Sequence, residues 1–232
     1  MRVLITGSAG RIGQHLITHL KDRHQFRGLD IAPTPQLDDH VVASITDWEA
    51  VNYASRDVEA TIHLSNVGGE WEQAMESMTG TRNVFEAAVA NGVGRIVFAS
   101  RGGVHPSAYY PRSITRTADM RTHPDSYYTI TKVFGEAMGD MFSSRHGLGV
   151  VSVRIGNFSE NRPLPEHPHQ LSHGDCVLLF EAALTAEEIA HERVFGVSDS
   201  NWPLYDIEHG RKAIGYHPQD RSEVAQEMID AG

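Results

Sequence analysis

Short apolar runs alternate along the chain with longer stretches of helical period. Strand-like runs cover 3–5, 26–29, 41–43, 61–64, 95–99 and 150–154, and helix-like stretches cover about 11–22, 47–55, 70–91 and 125–146. In the first helical stretch Ile12, Leu16, Ile17 and Leu20 share one face. The stretch at 70–91 runs into Asn91-Gly92, a good helix stop. Asp125 or Ser126, after Pro124, is placed to cap the stretch at 125–146. This alternation predicts an α/β fold: a doubly wound parallel sheet of the Rossmann type with helices on both faces.

After Ile155 the pattern changes. Residues 161–173 carry three prolines and three histidines and read as a loop. Two or three helices and one short strand at 194–197 are expected to finish the chain. The run Val177-Leu178-Leu179-Phe180 reads as helix core. A chain of 232 residues suits a single domain spanning 1–232, with 155–232 as a small substrate-facing extension. No internal repeat is seen.

Composition narrows the function. Apolar residues at 40% and charged residues at 22% are those of an ordinary globular protein. Lys and Arg total 20 against 30 Asp and Glu, a net charge of −10. That balance argues against nucleic acid or an anionic membrane surface as partner. Cys176 is the single cysteine, so no internal disulfide or paired-cysteine zinc site forms. The chain enters a strand at once, with no signal segment, and no apolar run approaches the ~18 residues of a membrane span. The expectation is a cytoplasmic enzyme.

The candidate chemistry begins at Thr6-Gly7-Ser8-Ala9-Gly10-Arg11-Ile12-Gly13, between the first strand and the first helix. A strand, a glycine-rich turn and a helix N-terminus cradle a dinucleotide pyrophosphate: the glycines permit close approach, and the helix end favours an anion. Asp30 closes the second strand, where a carboxylate accepts hydrogen bonds from the adenosine ribose and repels a 2′-phosphate, favouring NAD over NADP. Arg11, inside the turn, is the one hint of the opposite preference. Tyr128 and Lys132 are four apart and share a helix face, with Tyr127 pointing elsewhere. An ammonium beside a phenol is expected to lower its pKa and make Tyr128 a proton acceptor. Ser100, Arg101 and Asn157 lie just past strand ends, where such sheets bind ligands. His167, His169 and His173 are close in sequence, but they lack an acidic partner at ligand spacing; no metal is expected.

In order along the chain, these motifs resemble the extended short-chain dehydrogenase/reductases, the NAD-dependent epimerase/dehydratase family. They comprise the turn at 6–13, Asp30, Ile62-His63-Leu64, Gly80-Thr81-Arg82-Asn83-Val84, Ile96-Val97-Phe98-Ala99-Ser100, the Tyr128/Lys132 pair and Arg154-Ile155-Gly156-Asn157. Within the family the pattern is most similar to uronate dehydrogenases, in Tyr109-Tyr110-Pro111, Ser172-His173-Gly174-Asp175 and Ile214-Gly215-Tyr216-His217-Pro218. The resemblance implies an NAD-dependent oxidoreductase that oxidises a small polyhydroxy substrate, a free uronic acid or aldose, at C1.

It also implies site roles. Gly7, Gly10, Arg11, Ile12 and Gly13 would hold the pyrophosphate, and Asp30 the ribose. Ser44, Ile45, Leu64, Ser65, Asn66, Ser77 and Ile155 would complete the NAD site. Tyr128 would be the base, Lys132 would bind the nicotinamide ribose, and Ser100 or Arg101 would orient the substrate. Arg101, His105, Asn157, Ser159, Arg162 and His173 would meet the substrate. The helices at 70–91 and 125–146 would pair copies into a homo-oligomer.

Four positions depart from the family pattern. Ser77 stands for the Asn that orders water near Lys132. Arg101 stands where the catalytic Ser or Thr falls. Arg162 is offset from the substrate arginine, and Ser44 replaces the Asp that contacts adenine. Two readings of Arg101 stay open: a fork for a substrate carboxylate, or a solvent-facing strand end with Ser100 in the active role. Two rival functions also stay open. A nucleotide-sugar epimerase or dehydratase is disfavoured by a tail of only some 75 residues. The other is an NAD-binding regulatory protein with impaired catalysis.

Overall fold

Neighbouring side chains in the apolar runs go to opposite faces of one sheet. Val3 and Ile5 join one core and Leu4 the other; Val97 faces away from Ile96 and Phe98; Val151 and Val153 face away from Val150. Burial on both faces is why these strands read as continuous apolar runs. The computed structural model describes residues 1–66 and 68–230.

The strands are β1 Arg2–Thr6, β2 Gln25–Asp30, β3 His40–Val42, β4 Ala60–His63, β5 Arg95–Arg101, β6 Gly149–Ile155 and β7 His191–Gly196. All pairings are parallel, in the order β3-β2-β1-β4-β5-β6-β7. The helices are α1 Arg11–Leu20, α2 Trp48–Ala54, α3 Trp71–Ala90, α4 Tyr127–His146, α5 His173–Thr185, α6 Ile207–Ile214 and α7 Gln226–Asp230. α1 buries Gly13, Leu16, Ile17 and Leu20 in the core that also holds Leu179 and Phe180 of α5. Val51 of α2, Phe85 of α3 and Phe142 of α4 fill the opposite core. The doubly wound fold expected from the alternation is the fold observed.

Two differences matter for the site. β5 runs to Arg101 rather than stopping at 99, because Ser100 and Arg101 continue the ladder against Arg154 and Ile155. A short parallel pair, β8 Asp199–Ser200 and β9 Arg221–Ser222, sits outside the main sheet; strands of two residues leave no periodic signal. α4 is capped by Ser126, whose Oγ accepts from Thr129 N at 3.3 Å, and ends at Gly147 with φ +67°. That leaves Asp125 free for another contact. Among the described residues no helix is long and apolar enough to cross a membrane.

Candidate active site

Strand order reverses between β1 and β4, and the chain leaving these strands diverges around a cleft of about 850 Å3 at their carboxyl ends. Its first wall is the glycine turn. Gly7 adopts φ +75°, and a Cβ there would lie 2.8 Å from Ser65 N. A Cβ on Gly13 would lie 2.4 Å from Gly7 O, so α1 packs against the turn only without a side chain there. Gly10, Arg11 and Ile12 complete this wall, so the N-terminus of α1 borders the cleft. Asp30 also lines the cleft while its carboxylate accepts from Ala9 N at 3.1 Å and Ala32 N at 3.0 Å. It therefore braces the turn and borders the cleft at once. Ser44 and Ile45 follow β3, and Asn83 of α3 holds them by donating to Ile45 O at 3.1 Å. Leu64, Ser65 and Asn66 leave β4, and Ile155 closes β6, all on the wall.

At the other end stand Ser100, Arg101, Tyr128 and Lys132. Lys132 is 4% exposed, with Nζ 5.4 Å from the ring centres of Tyr128 and Phe98 and no acidic partner among the described residues. Burial, with the nearby Arg101 charge, brings Lys132 down to about 8. Burial raises Tyr128 above its ordinary value, and the cation that works against this is Arg101. This corrects the expectation that Lys132 supplies that field. Arg101 lies 5.3 Å from the Tyr128 ring centre in a partly exposed pairing with Asp125, whereas Lys132 is stripped of water.

Arg101 is held rather than loose. Its Nη1 donates to Thr129 Oγ1 at 2.7 Å and lies 3.8 Å from Asp125 Oδ1, while Thr129 Oγ1 donates to Asp125 at 2.7 Å. A Cβ on Gly103 would fall 2.3 Å from Arg101 Nη2, so the bare glycine is what admits the guanidinium. Ser100 is 3% exposed and donates to Glu136 Oε1 at 2.7 Å. Glu136 also receives a fork from Arg154 at 2.9 and 2.8 Å. Burial works to raise Glu136, but the Arg154 fork and the Ser100 hydroxyl hold it below its ordinary value.

The third wall comes from the tail. Asn157 N donates to His169 O at 2.7 Å and Leu171 N to Asn157 O at 3.0 Å, which brings Asn157 and His169 to the cleft together. Burial and the charges of His167 and Arg112 lower His169. Phe158 and Tyr205 border the same end.

The NAD dependent epimerase/dehydratase family matches residues 3–197. The chain belongs to that family. An NAD-dependent glucose-6-phosphate dehydrogenase of Haloferax volcanii is 34% identical, over 95% of this chain and 94% of its own length. A uronate dehydrogenase of Pseudomonas syringae pv. tomato is 34% identical, over 99% of this chain and 86% of its own. An NAD-complexed mutant of uronate dehydrogenase from Agrobacterium tumefaciens has a similar crystal structure, with TM-score 0.87 at 30% identity over 99% of this chain and 89% of that one.

Five residues singled out in the sequence of this family member lie off the cleft wall. Ser77 is buried within α3. His105 is buried and hydrogen-bonded through Nε2 to Met120 O at 3.0 Å, because β5 continues past the expected end and a 3₁₀ turn at Gly102–Val104 carries it inward. Ser159 and His173 engage each other, His173 Nε2 meeting Ser159 O at 2.8 Å, in a cluster with His15 and Phe158. Arg162 pairs with Glu166 at 3.4 Å near the surface. His167 and His169 stack with ring centres 5.6 Å apart, and among the described residues no group of three or more His, Cys, Asp or Glu is arranged to hold a metal.

Gly102, Gly103, Phe158, His169 and Tyr205 reach the wall without having been singled out as site residues. The bare Gly102-Gly103 pair after Arg101 was a usable signal. Tyr205 had none, because a backbone bridge to the distant Arg116 helps bring it there.

Proposed function

We propose that this chain is an NAD-dependent dehydrogenase that oxidises a free uronic acid or aldose at C1. The observation that carries this reading is that Tyr128, one turn before Lys132 on α4, opens onto the same cleft as the glycine turn. Gly7, Gly10, Arg11, Ile12 and Gly13 would hold the pyrophosphate and Asp30 the ribose hydroxyls. Ser44, Ile45, Leu64, Ser65, Asn66 and Ile155 would border the rest of the cofactor. Bound NAD supplies the hydride acceptor. Tyr128 takes the proton of the C1 hydroxyl, and Lys132, also on the cleft wall, holds the nicotinamide ribose. With Ser100 committed to Glu136, Arg101 is the strand-end group that meets the substrate, and the guanidinium edge that makes no hydrogen bond among the described residues suits a carboxylate. Residues 155–232 supply Asn157, His169 and Tyr205 to that end within one domain. The test is turnover at 340 nm across free uronic acids, aldoses and aldose phosphates with NAD and with NADP. C1 oxidation with NAD preferred is expected, since a 2′-phosphate would face Asp30. Tight NADH binding without turnover would replace this reading by a regulatory NAD-binding protein.

Replacing Arg101 by Ser is expected to weaken affinity for acidic substrates more than for neutral aldoses. It should also move the acid limb of the activity profile to higher pH. The sign follows from the field: Arg101 lowers Tyr128, so its removal leaves Tyr128 higher and more fully protonated at a given pH. Equal impairment on both substrate types would show that the carboxylate contact is wrong.

We also propose a homo-oligomer built on α3 and α4. Trp71 and Tyr127 meet edge to face at 5.5 Å and stay exposed, as do Met75, Ile130 and Met141. Light scattering that returned a monomer would remove this. The cytoplasm is the compartment we propose, which the single cysteine fits; cell fractionation tests it.

A further inference from the structure

The dehydrogenase reading needs a hydroxyl beside the base, and the usual source is gone. Five hydroxyl side chains line the cleft among the described residues: Ser44, Ser65, Ser100, Tyr128 and Tyr205. Ser44 pairs with Thr46 at 2.8 Å beside Ile45, at the glycine-turn end. Ser65 follows β4 and lies against Gly7, also at the glycine-turn end, and Ser100 is buried against Glu136. Position 101 holds a guanidinium, which only donates. Tyr205 remains once Tyr128 is taken as the base.

Tyr205 is fixed from two sides. Arg116 N donates to Leu204 O and Asp206 N donates to Arg116 O, both at 2.9 Å, so the backbone of Tyr205 is clamped in a parallel bridge. Its ring packs on Phe195 at 4.9 Å and lies 5.9 Å from the Arg116 guanidinium. Its Oη comes over the end of β5: a Cβ built on Gly102 would sit 3.7 Å from it. Among the described residues that hydroxyl has no hydrogen-bond partner. Burial raises Tyr205 above its ordinary value, against the charges of Arg116 and Arg101, which keeps it a protonated donor.

We propose that Tyr205 is the second hydroxyl of the active site, donating a hydrogen bond to the substrate hydroxyl on the carbon next to the one oxidised. The inference rests on the dehydrogenase reading. It gives the two phenols different work: Tyr128 accepts the proton of the reacting hydroxyl, and Tyr205 orients the sugar by its neighbour. A rigid donor of this kind discriminates strongly, because a substrate lacking the oxygen leaves the phenol unpaired.

The test is Tyr205→Phe, which keeps the ring, assayed with the best substrate of the 340 nm screen and with its 2-deoxy analogue. The expected result is a fall in kcat/KM of roughly 10- to 100-fold on the parent sugar, with NADH affinity and Tm unchanged. The preference of the unaltered protein for the parent over the 2-deoxy sugar should disappear in the variant. Unchanged kcat/KM, or equal loss on both sugars, would overturn the role of Tyr205 and leave the dehydrogenase reading standing. Failure of the unaltered protein to turn over any sugar in the screen would overturn that reading and this inference with it.

Discussion

Tyr128→Phe is expected to lower kcat by roughly 10²–10⁴-fold, the range for losing a positioned general base. That corresponds to about 3–5 kcal/mol of transition-state stabilisation. The ring keeps its place in the variant, because Arg101 over its face and its helical backbone do not involve the hydroxyl. NADH affinity and Tm are therefore expected to stay within error of the unaltered protein. The acid limb of the pH profile should disappear with the phenol. Burial sets Tyr128 above its ordinary value, so in the unaltered protein activity should climb toward alkaline pH. A variant retaining more than about half of normal turnover would remove Tyr128 as the base.

The glycine-turn end of the cleft was legible because its geometry is local. Gly7, Gly10 and Gly13 act through the turn they belong to, and Asp30 braces that same turn through Ala9. At the end where we propose the reaction, shared placement on the cleft was legible only where one helix sets the geometry, as it does for Tyr128 and Lys132. Ser100 looked like a free strand-end hydroxyl, but its fate depends on Glu136, 36 residues away on α4. Arg101 invited two opposite readings, since nothing in its own stretch reveals Asp125, just before α4, and Thr129, in its first turn. The tail was least legible. His105, Ser159, Arg162 and His173 carry the right chemistry and point it elsewhere, while Tyr205 arrives through a two-bond bridge to Arg116. Isolated bridges between irregular segments leave no period for a sequence to display.

The same long-range contacts carry the second large effect. Glu136→Ala is expected to cost about 3–5 kcal/mol of stability, the range for breaking a buried ion pair by removing one partner. Glu136 and Arg154 have side chains 4% and 2% exposed, so Arg154 would be left desolvated with Ala118 O at 2.9 Å as its one remaining hydrogen-bond acceptor among the described residues. For a chain of this size the loss corresponds to a fall in Tm of roughly 6–20 °C. Replacing both Glu136 and Arg154 by Met should recover much of it, because the penalty is the orphaned charge rather than the missing bond. Acid unfolding gives an independent check. The pKa of Glu136 is lower when folded, so its contribution is complete above the ordinary carboxylate value and is lost as pH falls through the lowered one. Glu136→Gln should flatten that acid-side loss. Glu136 also pins Ser100, and through it the end of β5 that presents Arg101. Activity of the Gln variant should therefore fall even where the protein remains folded. A stability loss under about 1 kcal/mol, the scale of an exposed pair, would show that water reaches this network and that the end of β5 is held by its ladder with β6 alone.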